Sequence, residues 1–355
     1  MIAPSYNTVH SQFQLNGFKL DRDDLCRIAY SFIKEGEPFE KAVGDFLLDW
    51  FDSKPYIEMT TSGTTGTPKM IQVDKQAMVN SALATGDFFD LSAGNKVLHC
   101  LPAKYIAGKM MFVRGFVLGL DMDFVAPSST PLHNCDECYD FAAMVPLQAE
   151  SSLDKLKQVK KLIIGGVKIN GKLEEELLKL PTKVYETYGM TETITHIAAK
   201  EVGESAFTVL PHVTISYDEN NCLVIHAPRI SGEVIVTNDL VELVNENQFR
   251  FLGRFDNIIN SGGIKLLPEQ IEEKLATKID ARFFVAGIPD EKLGEKLILI
   301  VEGENQAIDR SIFKKLGKYE VPKEIYFVPQ FQETGSGKIM RKEIIKEIGT
   351  LTTLP

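Results

Sequence analysis

The chain has 355 residues, 44% hydrophobic and 25% charged, which is long enough to bury a sizeable core and to form two domains. Lys and Arg number 39 against 49 Asp and Glu, a net charge of −10; this excludes a general nucleic-acid or membrane-surface binder and requires any anionic ligand to be met by a local basic pocket. The five cysteines are odd in number and scattered, as expected of a reducing compartment. Met1-Ile2-Ala3-Pro4-Ser5-Tyr6 has no basic segment followed by an apolar run, so no signal peptide is expected and the chain is expected to stay in the cytoplasm. The most apolar region, residues 110–126, is broken by Arg114, Asp121 and Asp123 and reads as a buried element and not a membrane span.

Taken in chain order, Leu25, Ile28, Ala29 and Phe32, then Phe39, Val43, Phe46 and Leu47, recur at helical spacing within residues 20–51. Residues 56–59 read as a strand entering Thr60-Thr61-Ser62-Gly63-Thr64-Thr65-Gly66-Thr67-Pro68-Lys69. Glycines bring the backbone close to a ligand, hydroxyls donate to non-bridging oxygens, and the lysine adds compact charge, a chemistry suited to polyphosphate. The spacing is not that of the Walker A loop, and composition alone fits an ordinary surface loop. Apolar runs at 97–101, 123–125 and 162–164 alternate with helical stretches such as 173–180, predicting a sheet flanked by helices. Cys135 and Cys138 have CxxC spacing with His133 nearby, but no second ligand pair follows, so they read as a loop with two free thiols.

Tyr185-Glu186-Thr187-Tyr188-Gly189-Met190-Thr191-Glu192-Thr193 supplies further parts of a nucleotide site: Tyr188 to cover a purine, Thr191 for a phosphate oxygen, Glu192 for Mg²⁺. A loop with a capping Thr/Glu pair fits the segment equally well on its own. From Cys222 the texture changes, and residues 223–226 and 233–237, separated by Pro228 and Gly232, predict antiparallel strands of a small β subdomain at about 205–250. After Arg254 a helix (267–276), strands (283–286, 297–301), a helix (312–316) and a strand (325–328) predict a compact α+β domain. The boundary is placed near Phe255-Asp256-Asn257, giving domains 1–255 and 256–355; no internal repeat or low-complexity tract is evident.

Five separated motifs, in order over residues 60–342, resemble the adenylate-forming superfamily of acyl-CoA ligases, luciferases and peptide-synthetase adenylation domains. The resemblance implies an α/β fold: a large N-terminal α/β domain with a small β subdomain, plus a small mobile α+β C-terminal domain. It implies that Thr61, Ser62, Gly63, Thr64, Thr65, Gly66 and Lys69 hold the phosphates of ATP and that Gly165, Gly166 and Val167 line the adenine. Tyr188-Gly189-Met190-Thr191-Glu192 is nearly verbatim the family signature, with Tyr188 and Gly189 on the nucleotide, Thr191 and Glu192 catalytic, and Glu192 the metal ligand. Asp239 matches the acid on the ribose hydroxyls, although Asn238 stands where a glycine is usual. Gly253-Arg254-Phe255-Asp256 resembles the hinge motif, with Arg254 on the ribose and Asp256 the pivot. Gly262 and Gly263 mark the floor of a CoA tunnel, and Gly335-Ser336-Gly337-Lys338-Ile339-Met340-Arg341 resembles the loop of the catalytic lysine, here Lys338. The implied chemistry is attack of a carboxylate on the α-phosphate of ATP, followed by domain rotation and transfer of the acyl group to CoA.

With 59 residues ahead of the phosphate loop, the N-terminal subdomain is expected to be reduced. Short members of the superfamily include the o-succinylbenzoate–CoA ligases of menaquinone biosynthesis, and residues 101–114 resemble their acyl-pocket segment, with Tyr105 where a histidine is usual. An aromatic dicarboxylate leaves one carboxylate free, which needs cations or donors; Lys104, Tyr105, Lys109, Arg114 and His196 are the acyl-pocket candidates. The expected ligands are thus ATP, Mg²⁺, CoA and a small carboxylic acid, with no nucleic acid or membrane partner, and homo-oligomerisation left open. Another acyl- or aryl-CoA ligase, a stand-alone adenylation protein loading a carrier protein, and a non-catalytic nucleotide-binding module are the alternatives.

Overall fold

The computed structural model describes residues 4–60, 70–334 and 339–352. In chain order its first half runs β1 (Gln14–Leu15), β2 (Phe18–Lys19), α1 (Arg22–Glu35), α2 (Pro38–Phe51), β3 (Tyr56–Thr60), β4 (Met70–Asp74), α3 (Lys75–Phe89), β5 (Lys96–His99), α4 (Ile106–Leu118), β6 (Asp121–Phe124), β7 (Tyr139–Met144), α5 (Pro146–Glu150), β8 (Val159–Ile164), α6 (Gly171–Leu177), β9 (Lys183–Gly189) and β10 (His196–Glu201). There follow β11 (Phe207–Val209), β12 (Thr214–Tyr217), β13 (Cys222–His226), β14 (Ile235–Asn245) and β15 (Gln248–Arg254), then β16 (Ile259–Ser261), β17 (Ile264–Leu266), α7 (Pro268–Leu275), β18 (Phe283–Asp290), β19 (Gly294–Glu302), β20 (Glu324–Val328) and α8 (Arg341–Thr352).

The helical spacing of residues 20–51 resolves into two helices. Asp21 caps the first, accepting from the Asp24 N–H at 2.9 Å while Asp24 accepts from the Asp21 N–H at 3.2 Å, a reciprocal cap that satisfies two orphan donors. Gly44 lets α2 lie close against α1, since a Cβ there would stand 2.7 Å from the Ala29 carbonyl oxygen. Both helices pack with α3 and α4 around Phe46, Trp50, Phe112 and Phe116. The apolar run at 110–126 is α4 followed by β6, and no helix among the described residues is long and apolar enough to cross a membrane.

The large sheet has thirteen strands among the described residues, in the order β12-β13-β14-β15-β11-β10-β9-β8-β7-β5-β6-β1-β2. Strands β6, β5, β7, β8 and β9 are parallel, and the apolar run Leu162-Ile163-Ile164 of β8 is buried because both faces of the sheet are covered there. Beyond β9 every pairing is antiparallel. The predicted β subdomain therefore has its own core, built on Leu223, Ile225, Val241 and Phe249, while its hydrogen-bond ladder continues the main sheet through β11 and β10. Val224 faces Val236 and Ile225 faces Ile235 in the antiparallel pair predicted there.

The second sheet, β17-β16-β19-β18 with β20 parallel to β19, follows the predicted α+β order, except that the expected helix at 312–316 is a 3₁₀ segment, Arg310–Lys315. Its strands alternate between two cores: Val285, Leu297 and Leu299 pack with Ile271 and Leu275 of α7, and Phe284, Ile298 and Ile300 with Ile344 and Ile348 of α8. This period-two burial on both faces explains why residues 297–301 are apolar throughout. Arg341 clamps Glu272 through two bonds of 2.8 and 2.9 Å, joining α8 to α7. Burial lifts the Glu272 pKa, and the Arg341 charge opposes that rise.

Candidate active site

Strands β5, β7, β8 and β9 run parallel and end on the same edge, at His99, Met144, Ile164 and Gly189. That edge is where α/β sheets present ligand loops. After β8 the chain turns through Gly165-Gly166-Val167. A Cβ on Gly165 would stand 2.8 Å from Thr187 Oγ1, and Gly166 has φ +98°, so both positions favour glycine. Val167 is left exposed.

After β9 the signature segment is folded so that its chemistry faces outward. Gly189 is required by close packing, because a Cβ there would fall 2.4 Å from the Thr195 carbonyl oxygen. Thr193, fully buried, fastens the 3₁₀ turn Thr191–Thr193: its Oγ1 accepts from the Met190 N–H at 2.9 Å and lies 2.7 Å from the Thr195 carbonyl oxygen. Thr191 and Glu192 remain exposed. Ile194 closes the segment at φ 64°, ψ −56°, with the Thr195 N–H donating back to the Thr193 carbonyl at 2.6 Å. A β-branched residue in this three-residue turn is strained by on the order of 1–3 kcal/mol. Periodicity could not reveal it, since nothing in the composition marks Ile194 as a turn residue.

Tyr188, Asp239, Arg254 and Asp256 form one chain of contacts. The Tyr188 hydroxyl donates to Asp239 Oδ2, and Arg254 Nη1 stands 3.0 Å from Asp239 Oδ1, with Arg254 Nε 3.4 Å from Asp256 Oδ1. Asp239 is buried, and its Oδ1, although close to the guanidinium, has no aligned hydrogen bond. It thus keeps acceptor capacity, as a group receiving ribose hydroxyls must. Burial and then the Asp239 charge raise the Tyr188 hydroxyl pKa; burial opposes the Arg254 charge, but Asp239 and Asp256 more than offset it. The Tyr188 ring packs at 5.1 Å against Phe249 and 5.8 Å against Phe207, so the ring read as a purine cover is also part of the β-subdomain core.

Gly262 and Gly263, at φ 58° and 82°, form the two-residue turn joining β16 to β17, with the Gly262 N–H on the Leu293 carbonyl at 2.8 Å. Such a hairpin requires positive φ at both positions. Thr61, Ser62, Gly63, Thr64, Thr65, Gly66, Lys69 and Lys338 lie outside the described residues. The hairpin β3/β4 that leads into and out of residues 61–69 pairs Thr60 with Met70 and is braced at its base, where the buried Lys75 ammonium meets Asp52 Oδ1 at 2.6 Å and the Lys75 N–H donates to the Pro55 carbonyl at 2.8 Å.

The acyl-pocket candidates separate. Lys104 and Tyr105 are exposed, Tyr105 at the N-cap of α4. Lys109 does not join Arg114 and His196: its ammonium lies 4.8 Å above the Phe46 ring on the side of α2, where burial lowers its pKa and Asp49 and Asp45 support its charge. A lysine so placed lays its stem and its charge against an aromatic face. Arg114 is 3% exposed, in no ion pair among the described residues; its Nη1 reaches only Met111 Sδ, at 3.4 Å, and its Nε has no partner there. Burial pushes its pKa down to about 10. His196 is buried with Nε2 unpartnered and Nδ1 3.4 Å from Thr195 Oγ1, which meets Ser81 Oγ of α3 at 3.2 Å. Burial first, and Arg114 second, lower its pKa to about 3. Sequence reading missed His99, at the end of β5, which is buried, its pKa lowered to about 3 by the same causes, and without a partner at either ring nitrogen among the described residues.

Glu192 offers one exposed hard oxygen donor, and the described residues hold no group of three His, Cys, Asp or Glu able to bind a metal. That donor set fits Mg²⁺ arriving on nucleotide phosphates and not an all-protein cage. Cys135 Sγ contacts the Pro131 carbonyl at 3.6 Å, and Cys138 is exposed.

The family model for AMP-binding enzymes matches residues 49–238, and that for the AMP-binding enzyme C-terminal domain matches residues 269–338. The chain belongs to the AMP-binding enzyme family. The segment between the two matches carries Asp239, Arg254, Asp256 and the Gly262-Gly263 turn. An acyl-CoA synthetase (AMP-forming)/AMP-acid ligase II-like protein of Dyadobacter fermentans is 34% identical, with 91% of this chain and 98% of that one covered and a TM-score of 0.62. A 2-succinylbenzoate–CoA ligase of Lactococcus lactis is 24% identical over 331 residues, 83% of this chain and 72% of that protein. The o-succinylbenzoate CoA synthetase of Bacillus subtilis, solved with its acyl-adenylate intermediate, shares the fold at 20% identity and TM-score 0.70, covering 81% of this chain and 68% of that one. This AMP-binding enzyme thus has the large α/β and small α+β architecture of that fold.

Proposed function

We propose that this AMP-binding enzyme is an AMP-forming acid–thiol ligase that activates o-succinylbenzoate with ATP and transfers it to CoA, a cytoplasmic step of menaquinone biosynthesis. The observation that carries the substrate is Arg114. A guanidinium buried without a carboxylate is costly in itself, and it supports an acid that brings a second, unreacting carboxylate into the site. The similarity to the 2-succinylbenzoate–CoA ligase of Lactococcus lactis supports the same substrate.

In the first half-reaction a carboxylate oxygen of the acid attacks the α-phosphorus of ATP, the bond to the β-phosphate breaks, and pyrophosphate leaves with its electron pair. Lys69 and the hydroxyls and glycines of residues 61–66 would hold the phosphates, Thr191 would contact a phosphate oxygen, and Glu192 would hold Mg²⁺, which would supply charge neutralisation on the phosphates. Lys338 stands between carboxylate and α-phosphate. Gly165, Gly166, Val167 and Tyr188 receive the adenine, and Asp239 with Arg254 the ribose. Domain 256–355 then turns about Asp256, withdrawing Lys338 and opening a thiol path past Gly262 and Gly263. The thiol sulfur attacks the acyl carbonyl, AMP departs, and the thiol proton is released.

The test is product analysis with o-succinylbenzoate, ATP and Mg²⁺, offering free CoA or a phosphopantetheine-bearing carrier protein as acceptor. Formation of o-succinylbenzoyl-CoA with AMP supports the reading, and acylation of the carrier alone replaces it with that of a carrier-loading adenylation protein.

A further inference from the structure

His99 stands at the carboxyl edge of the parallel strands, at the end of β5. It is 0% exposed, its ring lies edge-on to Phe112 at 4.4 Å and tilted on Phe124 at 5.3 Å, and neither ring nitrogen has a partner among the described residues. A phenylalanine would fill this aromatic cage at no polar cost, whereas each unmatched buried nitrogen costs about 1–3 kcal/mol. Buried polar groups of this kind call for an explanation. Phe112, which meets the His99 ring, and Arg114 lie two residues apart on α4, and the Arg114 charge reaches His99, so two buried nitrogen-bearing side chains, each with an unpartnered nitrogen among the described residues, belong to the contact of β5 with α4. The described residues place no carboxylate in an ion pair with Arg114 there.

We propose that His99 is a specificity-determining residue: its neutral imidazole donates an N–H to the free carboxylate of the acid that Arg114 binds, so that a guanidinium and a neutral donor together select a dicarboxylic acid. The inference rests on the dicarboxylate reading of the substrate and adds a residue to it. Arg114 alone supplies attraction; a second donor fixes direction and satisfies the other carboxylate oxygen. A neutral ring does this without bringing a second desolvated cation beside the first. A site built with fixed donors also rejects an acid lacking the matching acceptor, because its donors are then left buried and unmatched. A merely packed ring would have no such preference.

The test compares wild type, His99→Phe and His99→Gln, with His99→Met as a second apolar variant should Phe not be accommodated. KM and kcat are measured for o-succinylbenzoate, for the analogue lacking the free carboxylate, and for ATP. Wild type is expected to prefer the diacid. His99→Phe is expected to raise its KM about tenfold or more, as loss of a charge-assisted hydrogen bond implies, while kcat, the ATP KM and the constants for the analogue stay close to wild type. His99→Gln, which keeps a neutral N–H donor, is expected to recover most of the lost discrimination. Equal kinetics of His99→Phe and wild type on both acids, or parallel losses on both acids and ATP, would overturn the role of His99. A wild-type enzyme indifferent to the second carboxylate would instead overturn the substrate reading, a result visible before any variant is made.

Discussion

Tyr188 donates its phenolic hydrogen to Asp239 Oδ2, tying the end of β9 to β14, two strands that are not neighbours in the sheet. The other carboxylate oxygen faces Arg254 at 3.0 Å, and Arg254 in turn reaches Asp256. Tyr188, Asp239, Arg254 and Asp256 are therefore linked by direct contacts. Under the proposed function, nucleotide binding and the position of the hinge would share one set of side chains.

Tyr188→Phe removes the donor and leaves a buried carboxylate oxygen unmatched. The expected cost is about 1–3 kcal/mol of stability, read by thermal denaturation, together with a rise in the ATP KM larger than any fall in kcat. An unchanged melting temperature and ATP KM would show that the bond carries neither load.

Arg114→Met is expected to act in opposite directions on stability and function. Replacing an isolated buried charge with an apolar side chain of similar length should leave the ligand-free protein as stable or more stable, by up to a few kcal/mol. Turnover of o-succinylbenzoate should fall by about a hundredfold or more, because a charge-assisted hydrogen bond is removed from a desolvated site. Differential scanning fluorimetry beside steady-state kinetics reads both. A destabilised protein with normal kinetics would make Arg114 a structural residue.

The order of elements, the strand entering the phosphate segment and the change of texture at Cys222 are legible in the sequence because each rests on local periodicity or on glycine and proline punctuation. The Tyr188–Glu192 signature is legible as a string of residue types. What the sequence cannot reveal depends on the sheet bringing distant segments together. His99 looks like one more residue of a buried strand, and only its contact with α4, with both nitrogens unpartnered among the described residues, singles it out. Lys109 reads as a pocket cation because charge is visible in a sequence and direction is not; the structure adds that its ammonium lies over the Phe46 ring. The γ-turn at Ile194 is hidden because a β-branched residue there runs against local preference, a conflict expected near functional sites.

Acid should destabilise the protein through its buried histidines. His99 and His196 are each lowered to about 3, by burial first and by Arg114 second, whereas in the unfolded chain they return to about 6.5. Their folded values are depressed, so below about pH 6.5 the unfolded state binds more protons. Their contribution to stability is complete above that pH and declines as pH falls toward 3, by at most about 1.4 kcal/mol per pH unit for each histidine. The melting temperature should therefore drop between pH 7 and pH 5, and His99→Phe should shallow that drop. An identical slope in the variant would mean that His99 is not held neutral in the fold.

Lys338→Ala separates the half-reactions. Adenylate formation should be lost, while thioester formation from pre-made acyl-adenylate and CoA should remain largely intact, as the proposed rotation about Asp256 would withdraw Lys338. Equal loss of both halves in single-turnover assays would contradict rotation about Asp256.

The most direct measurement is pyrophosphate release with ATP, Mg²⁺ and o-succinylbenzoate, with and without CoA, beside benzoate and a medium-chain fatty acid. A strong preference for o-succinylbenzoate with CoA-dependent turnover is the predicted result. Equal or better turnover of benzoate or the fatty acid would contradict the assignment of Arg114 to a free carboxylate, and with it the substrate.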